Sequence, residues 1–140
     1  MSIKTLNPYL NFNGTASKAI KLYESALGAK TEAIQHFGDA AGMNVPADQK
    51  GRVLHAVLRL GGGTIMISDS MPDNPVPAGG NVHVSLDIDD PVDEQKKFDA
   101  LAAGGKVTMP LADQFWGARF GMVTDAFGIN WMLNCTLKKG

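Results

Sequence analysis

Asn81-Val82-His83-Val84-Ser85-Leu86-Asp87-Ile88 is the stretch at which the chain begins its pattern a second time. Val82, Val84, Leu86 and Ile88 alternate with Asn81, His83, Ser85 and Asp87, the period of a strand buried on one face. Asp89-Asp90-Pro91 follows, an acidic N-cap with proline in the first helical turn. The helix carries Asp93 and Glu94 early and Lys96 and Lys97 later, in keeping with its macrodipole. It buries Phe98, Leu101 and Ala102 and stops at Gly104-Gly105. Residues 106–109 read as a short strand and 113–124 as a longer one with its loop. Residues 125–128 read as a turn and 129–136 as the closing strand.

Upstream the order is the same. In residues 5–12, Leu6, Leu10 and Phe12 oppose Asn7, Tyr9 and Asn11, with Pro8 marking an edge or a bulge. Asn13-Gly14-Thr15 turns into a helix with the apolar stripe Ala16, Ala19, Ile20, Tyr23 and Leu27, and Gly28 caps it. Residues 30–37, 53–60 and 64–69 read as strands, the last two joined through Gly61-Gly62-Gly63. Residues 38–51 form a long loop of small polar composition in which Met43 stands alone, and a mobile lid is expected there. Residues 71–80, with Pro72, Pro75, Pro77 and Gly79-Gly80, read as a linker. Ala26-Leu27-Gly28-Ala29-Lys30-Thr31 is echoed by Ala102-Ala103-Gly104-Gly105-Lys106-Val107. One domain of two βαβββ modules, 1–70 and 81–140 joined by 71–80, is the expectation. The fold class is α+β, a curved mixed sheet around a pocket.

The 140 residues suffice for one domain, and 44% hydrophobic against 19% charged composition supports a packed core. Thirteen basic and 14 acidic residues give a net charge of −1, without the basic footprint of a nucleic-acid binder. No apolar run approaches the roughly 20 residues that span a bilayer. Met1-Ser2-Ile3-Lys4 has no signal-peptide pattern, so a soluble cytoplasmic protein with no membrane partner is expected. The single Cys135 excludes a disulfide framework within the chain.

The paired βαβββ pattern resembles the vicinal oxygen chelate superfamily, which includes glyoxalase I, extradiol dioxygenases, and fosfomycin and bleomycin resistance proteins. The chain is most similar to its PhnB-like branch, sometimes labelled 3-demethylubiquinone methyltransferase-like. The resemblance rests on Pro8-Tyr9-Leu10, Leu54-His55-Ala56, Ile65-Met66-Ile67-Ser68-Asp69-Ser70-Met71-Pro72, Phe115-Trp116-Gly117-Ala118-Arg119-Phe120-Gly121 and Asp125-Ala126-Phe127-Gly128-Ile129-Asn130-Trp131-Met132. It implies a homodimer with a small-molecule pocket. Fold kinship does not fix chemistry. Methyl transfer is not expected, because the glycines sit in hairpins and at helix ends rather than in a strand-to-helix turn of a parallel sheet. Metal-dependent relatives place four inward ligands at positions that fall here on Asn7, Ile67, His83 and Met132. Isoleucine and methionine do not hold a hard or borderline divalent cation and asparagine is a poor ligand, so neither metal nor cofactor is expected.

His55 and His83 are the candidate acids or bases, since histidine titrates in the useful range. His55 shares its strand side with Val57 and Arg59, and hydrogen bonding in the structure explains it equally well. His83 reads either as a pocket base or donor, or as a histidine on a wet strand face; His36 reads as surface. Tyr9 and Asn7, with Ile67, Met132 and His83, are expected in the ligand site. Trp116, Phe120 and Met122 share a strand side and line the cavity in this reading. Arg119 is the cation beside them, there for an anionic group or for a salt bridge to Asp113 or Asp125. Trp131 is expected in the core, and Cys135 lacks a partner for nucleophilic work. Three readings follow: a binder of a small, partly hydrophobic molecule, a glyoxalase-like enzyme with a pocket histidine or a non-standard metal site, and a dimeric module with a vestigial pocket.

Overall fold

The computed structural model describes residues 6–40, 42, 44–77, 79 and 82–137. The order is β1 (Tyr9–Phe12), α1 (Ala16–Leu27), β2 (Lys30–His36), β3 (Val53–Leu60), β4 (Gly63–Asp69), β5 (Val84–Asp87), α2 (Pro91–Ala102), β6 (Lys106–Asp113), β7 (Ala118–Thr124) and β8 (Asn130–Thr136). The chain divides into two units, Met1–Pro77 and Ala78–Gly140. Each holds a four-stranded mixed sheet and one helix in βαβββ order, an α+β architecture.

In the first unit the strand order is β1-β4-β3-β2, with β1 parallel to β4 and the other pairs antiparallel. Leu10 pairs with Ile67, Ile67 with Ala56, and Ile65 with Leu58, so these side chains share one face and all are buried. Helix α1 covers that face with Ala16, Ala19, Ile20, Tyr23 and Leu27. Thr15 gives α1 no side-chain cap. Asp69 serves instead: its carboxylate accepts from Gly14 N at 2.9 Å, Ala16 N at 3.0 Å and Val53 N at 2.9 Å. One buried residue at the end of β4 thus ties the start of α1 to the start of β3. Gly28, at φ 70°, closes the helix as a left-handed cap.

In the second unit the order is β5-β8-β7-β6, again with the first pair parallel. Trp131, Leu133, Cys135 and Val123 form the buried face under Phe98 and Leu101 of α2. Asp90 caps α2 by accepting from Val92 N. Gly121 lets Phe98 approach β7, because a Cβ there would stand 2.9 Å from its ring. Asp125 shapes the β7–β8 turn, accepting from Phe127 N, Ile129 N and Trp131 Nε1.

Several boundaries differ from the sequence reading. Strand β6 runs through Pro110 to Asp113 instead of stopping at Met109. Register shifts either side of Met109 mark bulges, and β6 is a sheet edge, where a missing N–H is tolerated. Strand β1 begins at Tyr9, leaving Asn7 exposed ahead of it; residue 5 lies outside the described residues. The loop after β2 holds two short 3₁₀ turns, and its ends are fastened by Phe37 N to Arg52 O and Gly38 N to Lys50 O. Met43, on which the lid expectation leaned, lies outside the described residues.

Candidate functional site

Each sheet has a face turned away from its helix, and the strand register decides which side chains stand on it. In the first unit Tyr9 pairs with Met66 and Met66 with Val57, while His55 lies two residues along β3 from Val57 on the same side. Tyr9 Oη lies 3.0 Å from His55 Nδ1, and the two rings are 5.7 Å apart at 54°. Strand β4 separates β1 from β3, so this contact reaches across a strand. Ser68, also on this side, donates to Leu54 O. Arg59 is paired in bidentate fashion with Glu32, both contacts at 3.1 Å.

In the second unit the open face has two registered rows. Met109, Met122, Met132 and Ser85 form one; Ala112, Phe120, Asn134 and Asp87 form the other. Asn134 Nδ2 donates to Asp87 Oδ1 at 3.0 Å, a polar margin to an apolar surface. The β6–β7 turn carries Phe115, 96% exposed, and Trp116, 50% exposed. Trp116 meets Phe120 edge to face at 5.8 Å and Phe115 at 5.1 Å. Two further aromatic rings therefore extend the second row beyond the sheet.

By register the two units correspond: Tyr9 with Ser85, Met66 with Met132, Val57 with Met122, and His55 with Phe120. This corrects the placing of Ile67 in the ligand site. Ile67 is fully buried on the helix side, and Met66 holds the position equivalent to Met132. Isoleucine and methionine are neighbours in an unbroken apolar run, so hydropathy alone left the parity of β4 open. Arg119 is also corrected. It pairs with Cys135 across β7–β8 and so lies on the helix side, away from Phe120. There its guanidinium donates to Gln95 Oε1 at 2.9 Å and Asp113 Oδ1 at 3.5 Å, with Glu94 Oε1 at 4.0 Å. His83 stands exposed just before β5. His36 lies 3.6 Å from Asp39, away from the open face described above.

Glu94 is a residue the sequence reading set among the dipole partners of α2; the structure buries it completely, with neither carboxylate oxygen hydrogen-bonded among the described residues. Burial raises its carboxyl above the usual range; Arg119 opposes the shift and Asp113 adds to it. The signal was present, since residues 94, 98 and 101 fall on one helical stripe. Burial likewise pushes the Cys135 thiol up, helped by Glu94, Asp90, Asp89 and Asp87, which keeps it an unreactive thiol.

The four positions that the resemblance assigns to metal ligands, Asn7, Ile67, His83 and Met132, offer an amide, a hydrocarbon, an imidazole and a thioether, and Met66, equivalent to Met132 by register, would add only a second thioether. That donor set does not fit a hard or borderline divalent cation. Among the described residues no three His, Cys, Asp or Glu side chains gather as a metal site. Among the same residues no helix is long and apolar enough to cross a membrane.

Comparison with known proteins agrees with this architecture. Protein YjdN of Escherichia coli (strain K12) is 37% identical over 141 residues, covering 92% of this chain and 93% of that one. The crystal structure of protein PA1353 from Pseudomonas aeruginosa matches with 40% identity and a TM-score of 0.86, covering 97% of this chain and all of that one, 100%. A Bacillus cereus structure described as a PhnB protein and putative 3-demethylubiquinone-9 3-methyltransferase has 24% identity and a TM-score of 0.80, over 95% of this chain and 100% of that one, a likeness of fold. The model of one family matches residues 5–133, both βαβββ units included, and the chain belongs to it: the Glyoxalase/Bleomycin resistance protein/Dioxygenase superfamily.

Proposed function

We propose that this protein binds a small, partly hydrophobic molecule on the open faces of its sheets, without the metal of its metal-dependent relatives. The observation that carries the reading is the side-chain content of those faces. Methionine and aromatic side chains stand in register on the second sheet, with a Tyr9–His55 pair on the first, where a solvated face would carry charged and polar residues. Thioethers are polarizable and adaptable, and an aromatic edge such as Trp116 gives a flat ligand something to stack on. The thioether and amide donors at the former ligand positions favour binding over metal-assisted chemistry.

A thermal-shift series with small aromatic and alicyclic compounds tests this, since a ligand that binds the folded state raises its midpoint. Concentration-dependent stabilisation by at least one class, weakened by Trp116→Ala and by His55→Ala, is the expected result. Absence of any stabilisation across the series would leave a vestigial face and contradict the proposal.

A further inference from the structure

We propose that Tyr9 fixes the tautomer of His55, so that His55 presents Nε2–H on the open face and recognises a hydrogen-bond acceptor, a carboxylate or carbonyl, on an otherwise apolar ligand. The inference rests on the binding role above and names the polar group such a ligand would carry.

The geometry begins with the 3.0 Å contact between Tyr9 Oη and His55 Nδ1. A neutral imidazole has one nitrogen with a lone pair and one N–H, and the partner of one nitrogen decides which is which. A phenol hydroxyl is a good donor, and an imidazole lone pair is a better acceptor than a phenol oxygen. Tyr9 therefore donates to Nδ1, and the proton of the neutral ring resides on Nε2. Nothing else among the described residues hydrogen-bonds the ring. Of the other donors on this face, Arg59 is already occupied by Glu32, and Gln35, opposite His55 on β2, is exposed. Ser68 spends its hydroxyl on Leu54 O. His55 Nε2–H is left as an unspent donor on a face it shares with Val57 and Met66, with Gln35 its register partner on β2. A ligand group that accepts is matched there; an ammonium is not. In this tautomer Nε2 already holds its proton, so His55 acts as a donor and does not take a proton from a ligand at that atom. Tyr9 is a positioning residue, acting through His55.

Long-range ¹⁵N–¹H spectra of the histidine rings at about pH 8, above the ordinary histidine range, read the tautomer directly. The wild type is expected to show His55 as the Nε2–H form, and Tyr9→Phe to shift it toward a mixture of forms. A dominant Nδ1–H form in the wild type, or a spectrum indifferent to Tyr9→Phe, would overturn the inference. Titration with 2-naphthoate and with 2-naphthylmethylammonium supplies the second arm. Naphthoate is expected to bind more tightly, and to lose roughly five- to tenfold in affinity in Tyr9→Phe, the scale of one hydrogen bond. Tighter binding of the ammonium, or naphthoate binding independent of Tyr9, overturns the recognition role while the binding function stands. Binding of neither probe, together with no stabilisation in the wider series, overturns both.

Discussion

A buried carboxyl group with no hydrogen-bond donor among the described residues, as at Glu94, favours its neutral form, and this has a consequence for stability. Its folded-state pKa lies above the unfolded one because burial disfavours the charge. The folded protein then holds a proton that the unfolded chain has lost, so the contribution of Glu94 is full below the ordinary carboxylate range and fades as pH rises through the folded value. Glu94→Gln should flatten this part of the stability profile, leaving the variant at least as stable as the wild type near neutral pH. Denaturant midpoints at a series of pH values check it; a wild-type profile that rises over the same range and is unchanged by the substitution would contradict it. At this scale the sequence was partly legible. The open-face residues His55, Phe120, Met122 and Met132 follow from alternation alone. Ile67 and Arg119 did not, because in Ile65-Met66-Ile67 every residue is apolar, and because a charged residue on the helix side looks in sequence like one facing solvent. Only the register with Leu10 and with Cys135 separates these cases.

Among the elements, α1 depends on a residue far from it in sequence. Asp69→Ala would strand the three backbone donors of Gly14, Ala16 and Val53, two of those contacts being fully buried and one partly so. A loss of about 3–5 kcal/mol is expected, with Asp69→Asn milder because it keeps one oxygen; chemical denaturation measures both. The aromatic turn between β6 and β7 behaves differently. Trp116 is half exposed, so Trp116→Ala should leave the unfolding midpoint nearly unchanged while weakening a bound aromatic ligand by about 1–3 kcal/mol. A large fall in stability with unaltered affinity would assign Trp116 to the core. The helices and the central strands were readable because caps and periodicity agree, as at Asp90-Pro91 and Gly28. The extent of β6 was not, since its bulges and Pro110 break the alternation on which the reading relied.

For the molecule as a whole, the repeat of βαβββ order was the most legible feature, because each half punctuates its strands with glycine turns at matching places. Strands β1 and β2 edge one sheet, β5 and β6 the other. Open edges invite pairing, and we expect a homodimer; sedimentation that finds only monomer at high micromolar concentration would contradict that. The binding claim itself is most directly tested by the methionine methyl groups. Of the 7 methionines in the chain, Met66, Met109, Met122 and Met132 stand on the open faces. Methyl ¹H–¹³C spectra recorded during titration with small aromatic acids should show these four resonances moving in a saturable way while Met71 stays in place. Resonances that stay fixed with every ligand, or shifts confined to Met71, would contradict the account.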